Sequence, residues 1–94
     1  MASTPTKPAE LPRRTGLHYS LYRVVLHNDD VNSMEHVVQS LERTFRFGRR
    51  RCVQIMLDAH QNGAAECVVE PFERAEFYRE RLRSFSLIAT IEPV

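Results

Sequence analysis

The stretch LYRVVLHNDDVNSMEHVVQSLERTF, residues 21–45, contains the two patterns that decide the fold. Its first six residues are rich in β-branched and aromatic side chains, which is typical of a strand, and the polar HNDD at residues 27–30 is expected to end that strand in a loop. Apolar residues then recur at the spacing of one helical face. They are Met34, Val37, Val38, Leu41 and Phe45. The stretch therefore predicts a strand, a loop and an amphipathic helix in that order.

Polar residues and glycines indicate where the helices begin and end. Asn32 is expected to cap the first helix, with Glu35 three residues later completing a capping-box pair. Gly48 suits a left-handed position and is expected to end that helix. A second helix is predicted from about residue 49 to residue 61, ended by Asn62-Gly63. One face of this second helix contains Cys52, Met56, Ala59 and His60.

The remaining residues predict two more strands with a helix between them. Residues 64–70 contain the apolar run CVV and predict a strand, and Pro71 suits the first turn of a third helix. Residues 85–92 alternate weakly between apolar and polar and predict the last strand. The simplest fold with the order β-α-α-β-α-β is an α+β domain, in which a three-stranded antiparallel sheet packs against three helices.

Length and composition limit what the chain can be. Its 94 residues allow one domain, predicted at residues 21–94, preceded by a proline-rich segment at residues 1–20 that is expected to be a flexible N-terminal extension. No apolar run approaches the roughly 20 residues of a membrane-spanning helix, and the N-terminus lacks the apolar segment of a secretory signal. Two cysteines are too few for a disulfide scaffold, so a reducing cytosol is expected.

Side chains that could support catalysis do not stand at the required spacings. Cys52 and His60 would lie about 12 Å apart along one helix axis, which is beyond the reach of a Cys–His pair. Asp29 and Asp30 are adjacent acids in a turn, where such residues are common. The three glycines form no phosphate-binding loop, and no metal-binding motif is present. We therefore expect no enzyme, no cofactor and no metal.

The same polar residues better match the needs of a bound ammonium group. An ammonium has three donors and one positive charge, so it requires carboxylate, amide or imidazole acceptors. That set is present at Asn28, Asp29, Asp30 and His60. Met34 and Met56 could form the adaptable wall of an apolar pocket beside it. The alternative is that both methionines and Val37 are core residues, and the residue pattern leaves both interpretations open.

Several of these motifs occur together in one known family. YRVVLHNDD at residues 22–30, then Met34-Glu35, then QIML at residues 54–57 with His60 and Gly63, resemble the ClpS family. Members of that family are adaptors that deliver N-degron substrates to the AAA+ unfoldase of a Clp protease. The match covers about residues 20–94. Each motif alone is weak, but their combination at this spacing is specific.

The resemblance implies a fold and a set of binding residues. The family fold has three strands and three helices and is similar to the C-terminal domain of the ribosomal stalk protein. In the family, the NDD turn and the helical histidine hold the α-amino group of a protein's first residue, whose large apolar or aromatic side chain enters a deep pocket. The amine-binding positions are Asn28, Asp29, Asp30 and His60. The pocket positions are Met34, Val37, Met56, Ala59 and Leu87, with Met34 as a gatekeeper against β-branched first residues.

The resemblance also implies partners and a compartment. On the unfoldase-docking side, Glu73 matches an acidic contact position and Tyr78 stands where a lysine is frequent, which allows a ClpA-type or a ClpC-type unfoldase. In the family the N-terminal extension engages the unfoldase, so residues 1–20 are expected to do the same. The expected compartment is the cytoplasm, or the plastid stroma in a plastid lineage. The sequence departs from the family pattern at His27, Asn32 and Ala59.

Two other functions are compatible with the sequence. One is a protein-interaction module that only modulates the Clp unfoldase without recognising N-degrons. The other is a small RNA-binding domain that uses Arg49-Arg50-Arg51. The net charge of +1 and the lack of an aromatic-rich strand surface disfavour the second, and we expect neither nucleic-acid nor membrane partners.

Overall fold

The strand predicted near residue 21 forms the centre of a three-stranded sheet. The computed structural model describes residues 20–94, in which strand β1 (Leu21–His27) pairs antiparallel with β2 (Ala64–Pro71) on one side and β3 (Ile88–Pro93) on the other. Successive side chains of a strand point to opposite faces of the sheet. Val24 and Leu26 therefore enter the core together.

Three helices pack against that core. They are α1 (Met34–Phe45), α2 (Arg49–Asn62) and α3 (Phe72–Ser84), and the element order is β-α-α-β-α-β. This confirms the predicted α+β fold with a three-stranded antiparallel sheet. Residues 1–19, on which the prediction of a flexible extension mainly falls, lie outside the described residues.

The apolar stripe of α1 has a buried part and a part that is not fully buried. Val38, Leu41 and Phe45 of α1 are buried and belong to the hydrophobic core. Burying one such side chain contributes roughly 1.5–3 kcal/mol to folding. Met34 and Val37, one turn closer to the N-terminus of α1, are not fully buried. The same apolar face thus extends beyond the close-packed interior.

The predicted helix caps are partly wrong. Ser33, and not Asn32, caps α1, because its hydroxyl accepts a hydrogen bond from the His36 N–H at 3.1 Å. Arg46, with φ 58°, takes the left-handed position that ends α1, whereas Gly48 has φ −62° and begins α2. Gly63 ends α2 as predicted, with φ 89° and its N–H on the Ala59 carbonyl. Glycine is favoured at such a position because it has no Cβ to clash.

The turn from α3 to β3 contains no glycine and is closed by two backbone hydrogen bonds. The Leu87 N–H donates to the Leu82 carbonyl at 3.2 Å and the Ser86 N–H donates to the Arg83 carbonyl at 2.9 Å. These two bonds form a Schellman motif. Ser86 occupies the left-handed position of this motif, with φ 68°. That conformation costs a residue with a Cβ roughly 1–2 kcal/mol.

Two of the three arginines at the start of α2 are engaged within the domain. Arg49 forms ion pairs with Glu35 at 2.8 Å and Glu42 at 3.4 Å. The Arg51 guanidinium lies 4.4 Å from the ring centroid of Phe47. These contacts favour the interpretation that the cluster is a helix start rather than a nucleic-acid site. No helix within residues 20–94 is long and apolar enough to cross a membrane.

Candidate functional site

A cavity of about 210 Å³ opens where β1 ends, between the N-terminus of α1 and the C-terminus of α2. Its wall combines a polar loop with apolar helix residues. The lining consists of Leu26, His27, Asn28, Asp29, Asp30, Asn32, Met34, Val37, Met56, Ala59 and His60. Tertiary folding has therefore brought all four predicted amine-binding residues to one cavity with four of the five predicted pocket residues.

The apolar side of the cavity is made by the first turn of α1 and the last turns of α2. Met56 and Ala59 are buried, whereas Met34 is 50% exposed. A half-exposed methionine at the rim is flexible enough to adapt its shape to an apolar group. The sequence left open whether Met34 and Val37 form a pocket wall or belong to the core. Their place in the cavity lining favours the pocket wall.

Leu87 is the predicted pocket residue that does not line this cavity. It is 3% exposed and belongs to the core. Its position follows from the Schellman motif, because the residue after the left-handed Ser86 folds back toward the helix.

The polar side of the cavity is fixed by a bond between two distant parts of the chain. The Asn28 N–H donates to the Gly63 carbonyl at 3.0 Å, which joins the end of β1 to the end of α2. His60 lies in the last turn of α2. The C-terminal end of a helix has a partial negative charge from its unpaired carbonyls. Both the loop and the helix end consequently favour a cation.

Asp29 shapes the loop with its carboxylate. Its Oδ1 accepts the N–H groups of Val31 at 2.9 Å and Asn32 at 2.8 Å, and its Oδ2 accepts the Asn32 side-chain amide at 3.1 Å. The hydrogen bond from the Asn32 N–H is the main reason that the pKa of Asp29 lies below its usual value. Asp29 is therefore charged and turned mainly toward its own loop.

The other three predicted acceptors line the cavity and are also accessible to solvent. Asn28, Asp30 and His60 are exposed, and within the described residues none of their side chains has a hydrogen-bond partner. Exposed acceptors without protein partners can exchange water for a ligand at little cost. The site thus combines a fixed charge at Asp29 with three available polar groups.

The part of the chain that the structure describes offers little support for nucleophilic or metal chemistry. Burial raises the pKa of the Cys67 thiol to about 12, and burial also raises the pKa of Cys52. Both thiols are therefore protonated at neutral pH and poor nucleophiles. No group of three His, Cys, Asp or Glu residues within residues 20–94 could hold a metal ion.

The sequence and the fold together match one family. The family model described as "ATP-dependent Clp protease adaptor protein ClpS" matches residues 18–90. The chain belongs to the ClpS family.

Individual ClpS proteins support this membership. The chain is 47% identical to the ATP-dependent Clp protease adapter protein ClpS of Synechococcus elongatus over 73 residues, which are 77% of each chain. It is 42% identical to the ClpS of Gloeobacter violaceus over 74 residues, covering 78% of this chain and 80% of that one. It is also similar to the solved structure of Agrobacterium tumefaciens ClpS2 bound to L-phenylalaninamide. That similarity has a TM-score of 0.79 at 31% identity and covers 82% of this chain and 100% of the other.

The two residues predicted to dock an unfoldase lie on α3, outside the cavity lining. Glu73 is exposed in the first turn. Tyr78 is partly buried, because its ring packs against Phe45 with the centroids 4.9 Å apart and its hydroxyl accepts a hydrogen bond from Arg74. Phe77 beside it is 57% exposed. In this ClpS chain, α3 thus presents an acidic group and an exposed aromatic ring on a surface separate from the cavity.

Three lining residues were not predicted as site residues. Leu26 belongs to the predicted strand, and it is buried at 2% exposure while it also forms part of the cavity wall. His27 is the last residue of β1, and its ring nitrogen lies 2.7 Å from the Thr90 hydroxyl. Asn32 was assigned to a helix cap. Their only signal in the sequence is their position beside the NDD motif.

Proposed function

We propose that this ClpS-family chain binds the first residue of a substrate protein and delivers that protein to a Clp unfoldase. The observation that carries the proposal is the composition of the cavity. One side is apolar and the adjoining rim contains polar acceptors of negative or neutral character. The first residue of a protein has a polar and an apolar group side by side in the same way, since its α-ammonium and its side chain are bonded to the same carbon atom.

The polar rim would hold the ammonium. Asn28, Asp30 and His60 provide an amide, a carboxylate and an imidazole, one acceptor for each of the three N–H donors. Asp29 adds negative charge and holds the loop in place. An acetylated or internal residue has no positive charge and fewer donors, so it would leave acceptors unpaired at a cost of roughly 1–3 kcal/mol each.

The apolar side would hold the first side chain. Met34, Val37, Met56 and Ala59 surround space for a large group. Burial of a large apolar side chain contributes roughly 1.5–3 kcal/mol. The Agrobacterium tumefaciens ClpS2 structure contains L-phenylalaninamide. That molecule has a free α-amine, an aromatic side chain and an amide in place of the carboxylate, as the first residue of a peptide does, which supports a large hydrophobic or aromatic N-degron here.

Delivery requires a second surface that stays accessible while the cavity is occupied. Helix α3, with Glu73 exposed and Tyr78 at its centre, fulfils that condition because neither residue lines the cavity. We assign unfoldase docking to this helix, for a partner of the ClpA or ClpC type. Binding and release involve no covalent step, so the proposed adaptor is not an enzyme.

A peptide array that varies only the first residue tests the substrate class. Peptides beginning with Leu, Phe, Tyr or Trp should bind, those beginning with Gly or Glu should not, and acetylation should abolish binding. Co-precipitation of a Clp unfoldase by a chain that binds none of these peptides would favour the modulating module instead.

A further inference from the structure

The loop of the amine site is tied to a distant turn by the side chain of a single residue. The Asn32 amide nitrogen donates one hydrogen bond to Asp29 Oδ2 at 3.1 Å and a second to the Ser86 carbonyl at 2.9 Å. Ser86 lies 54 residues away in sequence, in the turn between α3 and β3. The amide nitrogen therefore bridges the loop at Asp29 and the turn at Ser86.

Asn32 also binds the Asp29 carboxylate through its backbone. Its N–H donates to Asp29 Oδ1 at 2.8 Å, while its side chain holds Oδ2, so one residue contacts both oxygens. A carboxylate held at both oxygens has little rotational freedom. The direction in which the loop presents the neighbouring Asp30 then depends on the same contacts.

The Ser86 carbonyl, which accepts from Asn32, lies in a turn that is held by its own hydrogen bonds. The left-handed φ of 68° at Ser86 sets the direction of its carbonyl, and the Schellman bonds of Ser86 and Leu87 hold that conformation. His36 adds a parallel contact, since its Nε2 donates to the adjacent Phe85 carbonyl at 2.7 Å. The amine-site loop is thus fastened to the end of α3, and not only to its own strand.

We infer that Asn32 is a positioning residue of the amine site, which acts through Asp29 and the Ser86 carbonyl without itself contacting the ammonium. This inference rests on the proposed function and deepens it. It also gives a role to one of the positions at which the chain departs from the ClpS pattern. His36 provides a matched control, because its ring binds the same turn but makes no hydrogen bond to Asp29, with which it interacts only weakly through charge.

The test compares a peptide beginning with Phe with its N-acetylated form on three proteins: the wild type, Asn32→Ala and His36→Ala. The readout is the ratio of the two dissociation constants, measured by fluorescence anisotropy, together with the thermal midpoint of each protein. We expect Asn32→Ala to reduce the preference for the free amine about tenfold. His36→Ala should lower the thermal midpoint and keep a ratio close to that of the wild type.

A second readout distinguishes a role of Asn32 in holding the Asp29 carboxylate from a general loss of stability. Carbon-detected NMR titration should show the pKa of Asp29 rising in Asn32→Ala, because the side-chain hydrogen bond is lost, but remaining below its ordinary value, because the backbone N–H of residue 32 still donates to the carboxylate. His36→Ala removes only a weaker charge interaction with Asp29 and should raise that pKa less. Asn32→Ser, which keeps a short donor for Asp29 but is too short to bridge to Ser86, should give an intermediate ratio. This variant also serves if Asn32→Ala does not fold.

The outcomes distinguish the two proposals. If the wild type binds both peptides equally, the proposed function fails, and the positioning role fails with it. If the wild type prefers the free amine but Asn32→Ala keeps the full ratio, only the positioning role is overturned. Equal losses in Asn32→Ala and His36→Ala would also overturn it, since both would then act through stability.

Discussion

The backbone N–H of Asn28 lies 3.0 Å from the carbonyl oxygen of Gly63, and this bond brings the NDD loop to the C-terminal end of α2. Gly63 is in the left-handed conformation that ends the helix. His60, three residues earlier, therefore faces the same cavity as Asp30. Two motifs separated by 30 residues become one site through a backbone contact and the ending of a helix.

His60→Ala should weaken binding of a peptide beginning with Leu or Phe about tenfold or more, because one charge-assisted acceptor is lost. Fluorescence anisotropy measures the change. Gln61→Ala, which changes an exposed neighbour outside the cavity lining, is the control and should bind as the wild type does. An equal loss of affinity for the acetylated peptide would argue against an ammonium contact.

Ala59→Val should narrow the cavity and change its preference among first residues. Ala59 is buried and lines the cavity, so two added methyl groups take up ligand space. We expect peptides beginning with Trp to lose about 1–3 kcal/mol relative to those beginning with Leu. Calorimetry on both peptides measures this difference. Ala65→Val adds the same groups to the core outside the lining and should leave the preference unchanged.

Asp29→Ala should destabilise the fold at neutral pH by about 1 kcal/mol, the size of a lost capping interaction. The pKa of Asp29 is lowered in the folded state. Its contribution is therefore fully present above the unfolded value of about 3.9 and disappears as the pH falls through the lower folded value. Urea unfolding at several pH values should show wild type and variant converging in acid.

Asp30→Ala is the control for that measurement. Its carboxylate accepts no hydrogen bond within residues 20–94, so its removal should change stability little while weakening the binding of a free first residue. A stability loss at Asp30 equal to that at Asp29 would contradict the separation of the two roles.

Glu73→Arg should reduce co-precipitation of a Clp unfoldase while peptide affinity stays at the wild-type value. The residue is exposed on α3 and does not line the cavity. Reversing its charge should therefore weaken only the binding of a partner that contacts that surface. Binding of the Phe peptide by the same variant is the internal control. A simultaneous loss of peptide binding would indicate that the two surfaces are not independent.

The sequence by itself determined the order of helices and strands and the family. The β-branched and aromatic residues at 21–26 and the helical stripe from Met34 to Phe45 are local patterns, and local spacing decides which side chains of a helix share a face. The NDD motif and His60 likewise predicted the polar residues that line the cavity, and their role in holding an ammonium group stays a prediction. Motif chemistry is a property of residue types, so it can be recognised before the chain folds.

Only the tertiary structure decided which residues meet. Ser33 caps α1 with its hydroxyl oxygen, while the side-chain amide of Asn32 donates to Asp29 and Ser86. The left-handed turn at Ser86 sent Leu87 into the core and away from the cavity. A hydrogen bond across 54 residues leaves no periodic signal in the sequence, because its geometry exists only after the sheet and helices have packed.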